Sequence, residues 1–572
     1  MRRSLGAISG LVSVASGLAC QHSSDSPFLA PGANSLGLTA LSFRIDEDFL
    51  IAAIPEEGLD LNGDGDTLDS VLEFVHLRTG RKTVLPYSVG DSLVGGSRSG
   101  FQADGSFVSF GVSEYAQGAD LDGDGDIDGG NVLLVYDVRT GQTANLGLAV
   151  RIGGFGGAYV AQDGPLIGFV VPESVVGRDL DGDGETNRNL VYTYEADIER
   201  LTQLFSVATD MRPILEDGRL LVAAQEAGFR DRNGDGDTSD QVLLVHDVRT
   251  GAAQNLARAV QPAFANLPRL GVEESLLALE VSEPAQGVDL NADGDLLDTL
   301  VEIRDLETGT ILPTGLQVLE LRVEGGLVAM YAPELGLDGP VGTDLNGDGD
   351  VLDTVAFFYD GLTGTLTNTG VTVGDFVLPR NPPLAMGDRR AALVVIESAQ
   401  GDLNGDGDSD DHVLEVFDAR TGRTDSTGIA VWTESGVLDI DREHVLCAAV
   451  GADGTEPRVV DLQTGAQHGI GLASVSRLSL AEGRALVSVY ESIEGDDLDG
   501  DGDMQDVVQV VHDLQTGRTF NTGLAHFPFG FPPLVEFERG RLAMQALEDS
   551  QGRDLNGDGD MEDFVLHVVR VP

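Results

Sequence analysis

The sequence has one lysine, Lys82, one tryptophan, Trp432, and two cysteines, Cys20 and Cys447. Each scarcity excludes something. Thirty-five basic side chains face 95 acidic ones, a net charge of −60 over 572 residues. Phosphate binding needs clustered Lys and Arg, so no nucleic acid partner is expected. Attraction to anionic lipid is disfavoured on the same ground. Two cysteines cannot build a disulfide framework, and Cys447, in the apolar run Val445–Val450, reads as a buried, inert thiol. Beyond the N-terminus no segment is long and apolar enough to span a bilayer, and none shows helical periodicity. A G-x-S-x-G elbow, an H-E-x-x-H pair and a Walker loop are all missing. His246 and His512 fall where other repeats carry Tyr136, Tyr359 and Phe417, a packing slot, and His76 lies in the same strand. Trp432 reads first as core and second as a ligand surface. What is present is a 41% hydrophobic composition, too apolar for an acidic disordered chain.

The chain opens with Met1-Arg2-Arg3 and an apolar stretch, Leu5 to Ala19, which together read as an export signal over residues 1–20. The segment ends in Gly17-Leu18-Ala19-Cys20, which resembles the lipobox of bacterial lipoproteins. That resemblance implies cleavage before Cys20 and lipidation of Cys20. The protein would then be an outer-membrane or cell-surface lipoprotein; the alternative is a periplasmic or secreted one. Residues 21–35 are rich in Ser and Pro and read as a tether.

Residues 36–572 are repeats. Nine acidic segments begin at Asp60, Asp120, Asp179, Asp231, Asp289, Asp344, Asp402, Asp497 and Asp554. The widest gap, between Asp402 and Asp497, hides a tenth unit that lacks the segment. Every unit runs in one order: an alternating apolar stretch such as Ser106–Val112, the acidic loop, a β-rich run such as Val132–Asp137, a turn such as Thr140-Gly141, and a short strand that often holds Asn-x-Gly. Four short antiparallel strands per unit point to an all-β fold, a β-propeller of about ten blades. The run Leu134–Gly141 followed by Asn145–Val150 resembles the blade hairpins of TolB-like bacterial propellers. The last unit stops at Val569 without a final strand, and Asn34–Leu38 looks like the strand it lacks. The two ends would then share a blade and hide an edge. Ten blades could form one large ring or two tandem rings; an open solenoid is a further alternative.

The acidic loops carry the candidate chemistry. Their first halves resemble EF-hand and dockerin calcium loops and those of integrin-type propellers. Alternate carboxylates on a curled backbone suit Ca²⁺, which takes six to eight hard oxygens, and Gly at position 6 permits the turn. An EF-hand's Glu at position 12 is replaced by apolar residues such as Val71 and Val413, and an Asp at position 10 reads as the distal ligand. The candidate ligands in blade order are Asp60, Asn62, Asp64, Asp66 and Asp69; Asp120, Asp122, Asp124, Asp126 and Asp128; Asp179, Asp181, Asp183 and Glu185; Asp231, Asn233, Asp235, Asp237 and Asp240; Asp289, Asn291, Asp293, Asp295 and Asp298; Asp344, Asn346, Asp348, Asp350 and Asp353; Asp402, Asn404, Asp406, Asp408 and Asp411; Asp497, Asp499, Asp501, Asp503 and Asp506; and Asp554, Asn556, Asp558, Asp560 and Asp563. The third loop has Arg188 at position 10 and is expected to be the weakest site.

A Glu precedes every loop: Glu56, Glu114, Glu173, Glu226, Glu283, Glu334, Glu397, Glu491 and Glu548. It is read as an extra ligand or an anchor for the ligands, against a solvated strand-end charge. The nine loops hold 40 acidic and two basic residues, which leaves −22 for the rest of the chain. The expected function is an exported calcium-binding module that binds or scaffolds an unknown protein or polysaccharide. The alternative is a propeller hydrolase or lyase with a central-channel site.

Overall fold

The computed structural model describes residues 33–571 apart from 57, 90–99, 128–129, 151–158, 208–212, 227–230, 261, 264–266, 336–341, 376–383, 434–437, 452–453, 473–476 and 527–534. The export segment, Cys20 and Asp128 lie outside the described residues.

Ten four-stranded antiparallel sheets follow one another. Blade 1 is Ser42–Asp46, Phe49–Pro55, Ser70–His76 and Arg81–Val84, side by side in chain order. Eight more blades repeat this pattern. Blade 10 has Val535–Glu538, Arg541–Leu547 and Phe564–Arg570, and takes its outer strand from the start of the chain. Ala33–Thr39 pairs with Phe564–Arg570, with Ala33 opposite Val569 and Thr39 opposite Val565. The ends share a blade, and this strand starts inside the segment read as tether.

Ten apolar clusters glue the blades, each drawn from two successive sheets. One of them sets Leu38, Ala543 and Leu566 of blade 10 against Phe43, Leu50 and Ala52 of blade 1. The blades therefore close into a single ring of ten, which excludes two tandem rings and an open solenoid. The second strands do not alternate as expected. Leu166–Pro172 is buried at every position, because both faces of a blade are covered by its neighbours. The outermost strands are more exposed, as in Gln142–Val150. The aromatic slot is inter-blade core: Tyr136 packs on Phe74 with ring centroids 4.8 Å apart, and Phe417 stacks on Phe358 at 4.3 Å. His246 and His512 are buried in the same register. Cys447 is fully buried, and burial pushes its thiol up to about 12. Trp432 is 47% exposed, so it is not core.

First strands of successive blades adjoin, which places them innermost. Strand alternation then sorts the connections. The loops between second and third strands share one face with the passages from blade to blade. The first turns and the Thr-Gly turns share the other.

Candidate metal centres

Each acidic loop is held by the Glu that precedes it. All nine of these Glu are at most 2% exposed. Each closes the second strand, and its backbone bonds the far end of the loop, as in Glu56 N–H to Asp69 C=O at 2.8 Å and Glu283 N–H to Asp298 C=O at 2.9 Å. In five blades the Glu opens a one-turn helix, such as Glu114–Gln117 and Glu283–Gln286. One turn is too short to show periodicity in the sequence.

The Glu carboxylate clamps the loop backbone. Oε1 accepts the N–H groups of positions 2 and 3 in all nine blades: Leu61 and Asn62 on Glu56 at 2.7 and 2.9 Å, Leu290 and Asn291 on Glu283 at 2.5 and 3.3 Å, Leu555 and Asn556 on Glu548 at 2.6 and 3.1 Å, and likewise on Glu114, Glu173, Glu226, Glu334, Glu397 and Glu491. In six blades Oε2 also accepts the N–H of position 10, as from Asp298 at 3.3 Å and Asp353 at 3.2 Å. The solvated reading of these residues is thereby excluded.

A second fastening comes from the outer strand. In four blades an outer-strand Asn, followed two residues on by Gly or, after Asn255, by Ala257, donates to the position-2 carbonyl of its own loop: Asn145 to Leu121 at 2.8 Å, Asn255 to Arg232 at 2.8 Å, Asn368 to Leu345 at 2.8 Å and Asn521 to Leu498 at 2.6 Å. In blade 3, Gln203 does the same to Leu180 at 3.4 Å.

Inside the loop the Asp at position 1 accepts the N–H of position 4, at 2.6 Å in Asp60, Asp344 and Asp402. Positions 3, 5 and 7 each accept the N–H two residues on, as Asn62 from Asp64, Asp64 from Asp66, and Asp66 from Leu68 at 2.9–3.0 Å. Position 6 has φ between +93° and +106° in every loop, a region open to Gly alone. Carboxylates converge as a result. Glu56, Asp64, Asp66 and Asp69 each offer an oxygen within 4.8 Å of the others. So do Glu226, Asp235, Asp237 and Asp240, and so do Glu548, Asp558, Asp560 and Asp563. Glu114 gathers with Asp120 and Asp122, and Glu173 with Asp179 and Asp181. The Asn at position 3 turns its amide to position 10, as Asn346 to Asp353 at 2.7 Å and Asn556 to Asp563 at 2.7 Å.

This crowding shows in the acidities. Burial first, then like charges on the loop, pushes the position-10 carboxyls up: Asp69, Asp240, Asp353 and Asp506 to about 6, and Asp563 to about 7. The buried Oε2 of Glu56 and that of Glu226 have no hydrogen-bond partner. An orphaned carboxylate oxygen beside an all-oxygen donor set fits a hard divalent cation. Neighbouring loops also touch. Gly177 and Gly287, which end the helices of blades 3 and 5, lie against Asp124 and Asp235 of the preceding blades.

The opposite face repeats a different carboxylate, which the sequence reading missed. The innermost strand ends in an acid in seven blades: Asp46, Asp104, Asp163, Glu216, Glu273, Glu324 and Glu538. In the other three the next residue is acidic: Asp388, Asp441 and Glu482. Several of them grip the first turn of the following blade. Asp104 accepts Gly164 N–H at 2.7 Å, Asp163 accepts Gly218 at 2.9 Å, Glu273 accepts Gly326 at 2.8 Å, and Glu482 accepts Arg539 at 2.7 Å.

No known family pattern and no curated protein matches the chain. Solved structures similar to it include β-propeller proteins. The β-propeller domain of the Trilobed protease from Pyrococcus furiosus has 11% identity and a TM-score of 0.29, over 65% of this chain and 96% of that one. TolB from Acinetobacter baumannii has 10% identity and a TM-score of 0.22, over 64% and 77%. The tricorn protease has 14% identity and a TM-score of 0.23, and the match spans 89% of this chain but 47% of that one. The fold assignment rests on the chain's own sheets and register.

Proposed function

We propose that this is an exported calcium-binding β-propeller, anchored at the bacterial envelope through Cys20, that acts as a binding or scaffolding module. The observation that carries the calcium reading is the buried Glu oxygen without a partner, at Glu56 and again at Glu226, within a converging set of loop carboxylates. Calcium would be held by the carboxylates of positions 5, 7 and 10 together with this Glu. It would supply the positive charge that the loop lacks and stiffen the face on which the loops stand. The binding reading is favoured by uniformity. The inner rim repeats an acidic residue in every blade, and several of these grip the next blade, whereas a catalytic mouth gathers unlike residues. The loop face also displays Leu68, Leu297, Leu352, Met504 and Met561, all at least 41% exposed. Exposed apolar residues in such an array suit contact with a partner protein or polysaccharide.

The test is a thermal melt in calcium and then in EDTA. With 2 mM free calcium and dissociation constants of ~10⁻⁴–10⁻³ M, each filled site adds about 0.6–1.8 kcal/mol. Summed over the loops this reaches roughly 5–15 kcal/mol, so EDTA lowers Tm by many degrees. An unchanged Tm refutes structural calcium.

A further inference from the structure

The loop of blade 3 departs from the others at two positions. It has Glu185 at position 7 and Arg188 at position 10. Its backbone nevertheless folds as theirs do. Asp179 accepts Gly182 N–H at 2.6 Å and Gly184 N–H at 2.8 Å. Asp181 accepts Asp183 at 3.1 Å, and Asp183 accepts Glu185 at 2.8 Å. Glu173 grips Leu180 and Asp181, and its Oε2 accepts the N–H of Arg188 itself at 3.2 Å.

The Arg188 side chain, 21% exposed, folds back over the loop. Its Nε lies 2.6 Å from Asp183 Oδ2, and its Nη1 lies 3.7 Å from Asp181 Oδ2. Glu185 is tied elsewhere, with Oε2 accepting from Asn187 Nδ2 at 2.7 Å. Replacing Asp by Arg at position 10 adds two units of positive charge, the charge of one divalent cation. The carboxylates of Asp181 and Asp183, at positions 3 and 5, here face a guanidinium, whereas seven other loops set an Asp at position 10 and six of those seven carry an Asn, not an Asp, at position 3.

We propose that this loop carries its own cation: the Arg188 guanidinium takes the place of the metal, and blade 3 binds no calcium. The inference rests on the calcium reading of the other loops. It makes Arg188 the residue that decides between a metal-bound and a metal-free loop. A charged, planar donor can order a carboxylate loop without calcium because it pairs with two carboxylates at once. Blade 3 would then stay ordered at calcium concentrations that empty its neighbours.

Two measurements on the full chain test this. Equilibrium dialysis against calcium counts bound ions in the wild type and in Arg188→Asp, and the variant is expected to bind one more ion per chain. Equal counts overturn the proposal, as does a wild type that fills all nine loops. Thermal melts in EDTA compare the wild type with Arg188→Gln, and the variant is expected to melt lower because its loop has lost its only cation. Coincident melts in EDTA overturn the guanidinium's role without any appeal to calcium. A wild type that binds no calcium sinks the calcium reading, and with it the count of one extra ion. The EDTA comparison still decides whether Arg188 holds the loop.

Discussion

Glu283→Gln isolates the clamp from the ligands in blade 5. Glu283 is fully buried, and its carboxylate accepts three loop N–H groups, from Leu290, Asn291 and Asp298. The Gln carbonyl can keep Leu290 and Asn291. Its NH₂ then faces the N–H of Asp298, donor against donor. One charge-assisted bond is lost and two become neutral. Bonds to a charged group are worth ~1.5–3 kcal/mol and neutral ones ~0.5–1.5 kcal/mol, so at mid-range values the ordered loop loses about 5 kcal/mol. If only the ordered loop binds metal, the loss passes into affinity at about 1.4 kcal/mol per tenfold. Calcium at this one loop weakens on the order of 1,000-fold, beyond the roughly 10–100-fold that second-layer partners of a metal usually contribute.

Hydrogen exchange read by peptide mass reports the clamp directly. In EDTA the amides of residues 289–298 exchange faster in the variant, while the other loops keep the wild-type rates. Calcium dialysis at an intermediate concentration then shows one ion fewer per chain. If exchange in 289–298 is unchanged and the ion count is equal, the clamp has no role in ordering the loop, and the recurrence of this Glu needs another cause. Faster exchange in every loop would mean that the substitution loosens the whole ring instead.

Three further outcomes follow from other parts of the ring. The only lysine, Lys82, lies 3.1 Å from Glu73, whose side chain is 1% exposed; Lys82→Met strands that carboxylate and costs about 2–4 kcal/mol, below the full cost of a broken buried pair because Lys82 is partly solvated. Adding Glu73→Gln should recover most of the lost Tm, and failure to do so counts against the pair. Deleting residues 1–39 removes the strand that closes blade 10 and bares Phe564–Arg570 as an edge, so light scattering should show self-association where the full chain is monodisperse. At the seam between blades 10 and 1, Asp46 and Glu536 are both pushed up to about 7, by burial first; Glu538 raises both, Asp104 and Glu47 add to Asp46, and Arg44 opposes. The folded chain keeps protons there that the unfolded chain releases, so this contribution is full below about pH 4 and is lost as pH rises to about 7. Asp46→Asn should therefore gain Tm relative to the wild type across that window, and parallel curves would refute the assignment.

What could be read from the residues and what could not divide by distance along the chain. The ten units, the shared blade and the Glu before each loop were legible because each recurs in the same order along the chain. Asn34–Leu38 announced the closing strand because it matched Asn145–Leu148. The inner rim was not legible, since Asp104 matters through Gly164 one blade later. The helix ends that touch the preceding loops were hidden for the same reason. Continuous burial of the second strands also depends on neighbours, because a strand covered on both sides loses the alternation that a lone sheet would keep.

Blade 8 shows why the Glu and the loop belong together. It has no acidic loop, and its second strand, His444–Gly451, runs on into a hairpin with Gly451 opposite Gly454. Ala449 and Val450 stand where the Glu would be, and the outer strand Gln467–Gly469 has no Asn-x-Gly. The Glu and the loop vanish together because each is costly alone. A buried Glu without loop amides to bind is an unpaired buried charge. An acidic loop without the Glu loses the grip on its backbone. The fold itself needs none of them, since blade 8 still packs on both neighbours through Leu446, Cys447 and Ala448. The acidic loops are therefore an addition carried by a self-sufficient ring, and most of the chain's net negative charge belongs to that addition.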